Sequence, residues 1–227
     1  MIKEVLEMRK FDYDKIESYY DKPYWDTPGV KSGYTNMTKS LGGVWHKQAC
    51  SWFDSVIPVK GKTLLDAGCG LGHFMYGFAD LGADVSGADS STFCCDFLRE
   101  HCTLPVYQTR LENLVMIAPD SVDIVFCTST LEHIPPEHIE RVLLNLIRVA
   151  KPGGTIFLEV DTIPNDERDF TEESHVNIQP WDNWYEEFCK PVYNWVALPQ
   201  VEVDLYTTTE FPGFPLDQWR FAVLRKL

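Results

Sequence analysis

LLDAGCGLGHF, residues 64–74, decides the fold. Its first half continues the apolar run Lys62–Ala67, which suits a short strand buried on both faces of a parallel sheet. Its second half turns through Gly68, Gly70 and Gly72 into a helical pattern from His73 to Leu81. Glycines let the backbone pass close to a ligand, and a strand end meeting a helix start leaves N–H groups free. Further along the chain, Ala83–Ala88 reads as a second strand and Ser91–Glu100 as a second helix, with Ser90 or Ser91 as its N-cap. Val106–Gln108 is a weak third strand and Ser121–Thr128 a strong fourth. Ile139, Val142, Leu143, Leu146, Ile147 and Ala150 then form one apolar helical stripe, entered at Pro135-Pro136 and stopped by Lys151-Pro152-Gly153-Gly154. Thr155–Val160 is a fifth strand. Strands and helices alternating at this spacing imply right-handed βαβ units and a doubly wound, mainly parallel sheet.

The flanks differ from this core. Residues 1–45 are rich in Tyr and Asp, and residues 161–198 in Trp, Pro and acidic groups. Residues 201–209 and 219–226 alternate like an antiparallel pair at the sheet edge, which brings the expected strand count to seven. The expected layout is a single domain over 1–227: an N-terminal cap (1–45), a ligand-binding core (62–160), a substrate-side insertion (161–198) and C-terminal edge strands (199–227). In such sheets ligands sit at the carboxyl ends of the strands, where both flanking segments can reach them.

Composition sets outer limits. The 227 residues carry 20 Lys+Arg against 34 Asp+Glu, a formal charge of −14. That balance argues against a nucleic-acid binder, which needs a basic face, and against an anionic membrane surface. No apolar stretch is long enough to span a bilayer, and the first residues lack the apolar core of a secretory signal. Seven cysteines without a C-x-x-C pair read as reduced thiols, so no metal site and a cytoplasmic location are expected.

Two carboxylates sharpen the glycine turn. Asp66 stands on the strand just before it, where it would repel a dinucleotide pyrophosphate. Asp89 ends the second strand, where a carboxylate can accept both hydroxyls of a ribose. The bland alternatives are a turn-stabilising role for Asp66 and helix capping for Asp89.

With these residues the chain resembles the class I S-adenosylmethionine-dependent methyltransferases. LLDAGCGLGHF is similar to that family's glycine motif and GADVSGADSS (82–91) to its ribose-binding strand end. LENL (111–114) resembles its adenine-side segment, DIVFCTSTLEHI (123–134) its fourth strand and loop, and RVAKPGGTIFLEV (148–160) its fifth strand. In motif style the match leans to small-molecule quinone- and sugar-type O-methyltransferases. The resemblance implies a Rossmann-like fold and S-adenosylmethionine as cofactor, leaving as S-adenosylhomocysteine. It implies that Gly68, Cys69 and Gly70 line the methionine part, with Asp66 near its ammonium and Thr128 starting the loop beneath it. Asp89 would hold the ribose, Ser90 and the Leu111 N–H would face the adenine, and Glu112 or a backbone carbonyl would take the amino-group contact that many relatives make from an acidic residue, replaced here by Arg110.

The implied reaction is an in-line displacement at a sulfonium methyl, most simply onto a hydroxyl of a small molecule. A weakly acidic hydroxyl calls for a base. His133, in the loop after the fourth strand, and His175, in the insertion, are the candidates, ahead of His46. Among the flanking aromatics, Tyr34, Trp45, Trp181 and Tyr185 are the expected acceptor walls. Two rival functions are a nicotinamide-dependent oxidoreductase and a non-catalytic cofactor-binding subunit. His73, where G-x-G-x-x-G needs its third glycine, counts against the first. A monomer or homodimer, with no nucleic-acid partner and no membrane insertion, completes the expectation.

Overall fold

A computed structural model describes residues 11–27, 37–39, 43–162, 173–184, 186–187, 201–207 and 220–227. The elements in chain order are α1 (Ile16–Tyr19), α2 (Lys22–Asp26), α3 (Val44–Val56), β1 (Thr63–Ala67), α4 (His73–Asp80), β2 (Asp84–Asp89), α5 (Thr92–His101) and β3 (Val106–Gln108). There follow β4 (Val122–Cys127), α6 (Pro136–Val149), β5 (Ala150–Glu159), β6 (Val201–Thr207) and β7 (Arg220–Lys226). The seven strands form one sheet in the order β3-β2-β1-β4-β5-β7-β6. The first five are parallel, whereas β7 runs antiparallel to both β5 and β6. This is the doubly wound sheet with antiparallel edge strands that the sequence pattern predicts.

The two-residue period of the strands explains why both faces are covered. Leu64, Ile124, Phe126 and Phe157 point to one face and pack with Phe53 of α3 and Met75 and Phe78 of α4. Leu65, Val125, Cys127, Ile156 and Leu158 point to the other and meet the α6 stripe of Ile139, Val142, Leu143, Leu146 and Ile147. The order reverses at β1, which lies between β2 and β4. That reversal opens a crevice above the carboxyl ends of these strands, the usual ligand position in open α/β sheets.

Two features depart from the sequence pattern. Strand β5 begins at Ala150 rather than Thr155, because Lys151–Gly154 forms a bulge rather than a stop: Ala150 pairs with Val122 and Thr155 with Ile124. Helix α3 carries too narrow an apolar face, Ala49, Cys50 and Phe53, for periodicity to single it out. The N-cap of α5 is Ser91, whose Oγ accepts from the Cys94 N–H at 3.0 Å and donates to the Tyr20 carbonyl at 2.9 Å. One hydroxyl thus caps a core helix and ties the N-terminal segment to it. No helix among the described residues is long and apolar enough to cross a membrane.

Candidate active site

A cleft enclosing about 650 Å³, its open mouth included, lies over the ends of β1, β2 and β4. Its floor is the glycine turn. Gly68 and Gly70 have positive φ, 86° and 49°, which a side-chain-bearing residue adopts only at a cost. At Gly68 a Cβ would also collide with the Thr130 side chain, so the turn and the loop after β4 fit only with glycine there. The Gly68 and Cys69 N–H groups donate to the Ala88 carbonyl at 2.8 and 3.1 Å, locking the turn against β2.

Asp89 ends β2 at the edge of the cleft. Its Oδ2 accepts from the Gly70 N–H at 2.8 Å and its Oδ1 from the Ser91 N–H at 2.7 Å. Each oxygen keeps a second lone pair, so the carboxylate is oriented from behind and can accept from a ligand in front. Desolvation raises its pKa, while the Ser91, Gly70 and Ser90 N–H groups pull it down. Asp66 lies behind the turn, 2% exposed, with Oδ2 lacking any hydrogen-bond partner. Burial, and then the charge of Asp89, push its pKa up to about 8.

The opposite wall is the loop over Arg110–Glu112. The Tyr13 hydroxyl donates to Glu112 Oε1 at 2.6 Å, and Glu112 Oε2 is buried without a partner. Arg110 also lines the cleft: its Nε and Nη2 hold Glu17 at 2.7 and 3.2 Å, and Nη2 reaches the Asp14 carbonyl at 3.0 Å. Tyr13, Ile16, Tyr20, Tyr24 and Trp25 form the roof. The Trp25 ring lies 3.0 Å from where a Cβ on Gly70 would stand, directly over the turn.

At the far end is the loop after β4, with Ser129, Thr130, His133 and Ile134 on the cleft. Ser129 is left-handed, φ 45°, and both its N–H and Oγ donate to Glu159 Oε2, at 3.0 and 3.2 Å. Burial pushes the Glu159 carboxyl up to about 8. His133 Nδ1 lies 3.2 Å from the Ser174 carbonyl, and the His175 ring stands 4.6 Å from the His133 ring.

Of the residues expected at the site, Gly68, Gly70, Asp89, Ser90, Leu111, Glu112 and His133 line the cleft together. Asp66, Cys69, Thr128 and His175 stand beside or behind the lining rather than on it. Two expected acceptor walls lie elsewhere. Trp45 packs edge-on against Phe74 and His46, and Trp181 belongs to the core cluster on the α6 face. Trp181 is drawn away by apolar neighbours that bury its ring more completely than an open cleft does, whereas Trp45 stays half-buried. Tyr34 and Tyr185 fall outside the described residues. His46 stacks on His73 at 4.5 Å, away from the cleft. The roof residues Tyr13 and Ile16, and the loop residues Ser129, Thr130 and Ile134, were not singled out from sequence. The dense Tyr/Asp composition before residue 27 was their one signal.

Residues 65–158 match the family model described as a methyltransferase domain. A ubiquinone biosynthesis O-methyltransferase from Cupriavidus pinatubonensis is 35% identical over 113 residues, covering 47% of this chain and 44% of that protein. One from Paraburkholderia xenovorans is 36% identical, covering 47% of each. The chain thus spans about half the length of these curated relatives. A TehB-like S-adenosylmethionine-dependent methyltransferase from Corynebacterium glutamicum superposes with a TM-score of 0.61 at 15% identity, covering 81% of this chain and 89% of that one. Another from Mesorhizobium loti gives 0.58 at 14% identity, covering 78% and 96%. At such identities these structures speak for the fold alone. The matched region runs from within β1 to within β5, through the glycine turn and the end of β2, so the core of this chain is similar to methyltransferase domains.

Proposed function

We propose that the chain transfers a methyl group from S-adenosylmethionine to a hydroxyl oxygen of a small molecule. The observation that carries this reading is Asp66: a buried carboxylate with an unpartnered oxygen behind a glycine turn suits a cationic ligand and opposes a pyrophosphate. The residues present fit the cofactor. The Gly68–Gly70 turn would face its methionine part and Asp66 its ammonium. Asp89, held by two backbone donors, would accept the ribose hydroxyls. Leu111 and Glu112 would meet the adenine, with the unpartnered Glu112 Oε2 as acceptor for its amino group. The bound cofactor supplies an activated methyl group, so the protein's part is alignment and proton removal.

The acceptor oxygen would approach from the side of His133. With a hydrogen on His133 Nδ1, donated to the Ser174 carbonyl at 3.2 Å, Nε2 would take the acceptor's proton. The roof tyrosines and Trp25 would wall off water and give a flat surface to an aromatic or sugar-like acceptor. The names of the half-length relatives support an oxygen acceptor. The layout of cap, core, insertion and edge strands as one domain belongs to the same proposal.

The test is calorimetric titration with S-adenosylhomocysteine and, in parallel, NADH. S-adenosylhomocysteine is expected to bind at one site per chain. NADH binding without any response to S-adenosylhomocysteine would overturn the reading.

A further inference from the structure

Cysteine spacing points away from metal binding, yet the acceptor end of the cleft assembles a different set of ligands. We infer that Glu132, His133 and His175 form a site for one divalent transition-metal ion of the zinc class, opening toward the cleft through His133. One potential ligand atom from each residue lies within 4.8 Å of the other two. Glu132 is 1% exposed, and its Oε2 has no hydrogen-bond partner. Such an oxygen is costly to bury unless a proton or a cation joins it. Glu159 is buried close enough for its charge to bear on Glu132, and the Asp161 charge bears on it as well, so the field at this point favours a cation.

The surroundings are built to hold these ligands. His133 Nδ1 lies 3.2 Å from the Ser174 carbonyl and 3.0 Å from Ser174 Oγ, so the ring is oriented, and the tautomer that donates to the carbonyl carries its lone pair on Nε2. Metal-bound histidines characteristically donate their second N–H in this way. The Asn177 N–H donates to the Glu132 carbonyl at 3.0 Å, clamping the segment that carries His175 onto the loop that carries the other two. The imidazole rings meet edge to face at 65° with centroids 4.6 Å apart. Ligand atoms around a four-coordinate ion stand about 3.3 Å apart, so the three would draw in by about 1.5 Å at most. Two imidazoles and a carboxylate suit zinc-class ions better than magnesium or calcium, which prefer all-oxygen shells, or copper(I), which prefers sulfur.

An ion held by three protein ligands keeps an open position. A hydroxyl bound there becomes more acidic and releases its proton to water. Its lone pair then attacks the methyl carbon while the C–S bond breaks and its electrons remain on sulfur. In that mode His133 is a ligand; without the ion it takes the proton directly. This use of the site rests on the methyl-transfer reading, whereas binding of the ion does not.

The test uses the full chain, stripped by a chelator and titrated with Co²⁺ while the visible spectrum is followed. Zn²⁺ is counted by elemental analysis after dialysis. One Co²⁺ per chain is expected, with d–d bands and no thiolate charge-transfer band. His175→Ala and Glu132→Gln should each weaken binding about 10-fold or more. Circular dichroism checks folding, and the partly exposed His175 provides the variant less disruptive to the core. Absence of stoichiometric binding, a thiolate band, or affinity unchanged in His175→Ala overturns the site. S-adenosylhomocysteine is titrated into the same samples. Its binding without metal binding refutes only the metal site, and metal binding without it refutes only the methyl-transfer reading.

Discussion

Asp66 links cofactor affinity to pH in a way that can be worked out in advance. In the ligand-free protein its carboxyl is raised to about 8 by burial and by the charge of Asp89. To receive the cofactor's ammonium it must be ionised, so binding expels the proton that the free protein holds. The apparent dissociation constant is then the intrinsic one multiplied by 1 + 10^(pKa − pH). That factor is about 100 at pH 6 and about 4 at pH 7.5, a change of about 25-fold, or ~2 kcal/mol. Both pH values lie below about 8, where an α-amino group begins to lose its own proton.

The assay is calorimetry with S-adenosylhomocysteine in two buffers of different ionisation enthalpy. Near pH 7 it should detect the release of about 0.9 proton per ligand bound. Asp66→Asn keeps the shape but cannot ionise, so it isolates this group from Glu159, which burial also pushes up to about 8. The variant should lose the pH dependence and bind about 5- to 30-fold more weakly at pH 7.5, for want of a charge-assisted hydrogen bond. Affinity that stays flat from pH 6 to 7.5 with no proton release in the unmodified protein would refute the assignment of Asp66 to the ammonium.

Asp89→Asn should weaken S-adenosylhomocysteine binding by ~1–3 kcal/mol and lower the melting temperature slightly, because the carboxylate serves both the ligand and the Gly70 and Ser91 N–H groups. Unchanged affinity in a folded variant would place the ribose elsewhere. Gly68→Ala meets both a positive φ and the Thr130 side chain, so a stability loss of ~1–3 kcal/mol or more is expected in denaturant titration. Burial lowers His73 from 6.5 to about 4, so the unfolded chain binds the extra proton between these values and stability falls as pH drops through that window. His73→Gln should flatten the pH 4–6.5 slope of thermal stability; an unchanged slope would clear His73 of responsibility. Arg110→Ala removes the ties to Glu17 and Asp14, and should speed proteolysis before residue 27 while leaving the core melting transition within ~1 kcal/mol.

The sheet was legible because its strands are buried on both faces. A run such as Leu64-Leu65-Asp66-Ala67 has few other uses, and the α6 stripe states its own period. The floor of the cleft was legible for a similar reason: positive φ and close approach demand glycine at fixed offsets, and a strand-end carboxylate follows at a fixed distance. The acceptor side was not. Trp45 and Trp181 are large rings that could serve a cleft or a core equally well; the α6 cluster takes Trp181 for the core, and Trp45 packs half-buried against Phe74 and His46. Which rings face the cleft depends on how the cap folds back, a long-range contact that periodicity does not encode. The Glu132–His133–His175 cluster was hidden for the same reason. His175 lies about forty residues from the adjacent Glu132 and His133, and the Asn177–Glu132 and Ser174–His133 hydrogen bonds help bring them together.

Arg110 shows how a departure from a family pattern can be absorbed. Relatives' acidic residue at this point would face the adenine, and an arginine there would set a cation against the amino group. The structure ties the guanidinium to Glu17 and the Asp14 carbonyl and sets it over the Tyr13 ring at 5.2 Å from its centroid. That contact draws Tyr13 down until its hydroxyl reaches Glu112. One Glu112 oxygen is thereby fixed and the other left unpartnered on the side of the cleft where Leu111 stands. On the proposed reading Glu112 would supply, two residues later, the acceptor that position 110 lacks, oriented by the same cap that the arginine anchors. Roof and cleft wall are thus joined through Arg110, Tyr13 and Glu112, so a change at Arg110 is expected to act on cofactor binding through Tyr13 and Glu112 as well as from its own place on the cleft lining.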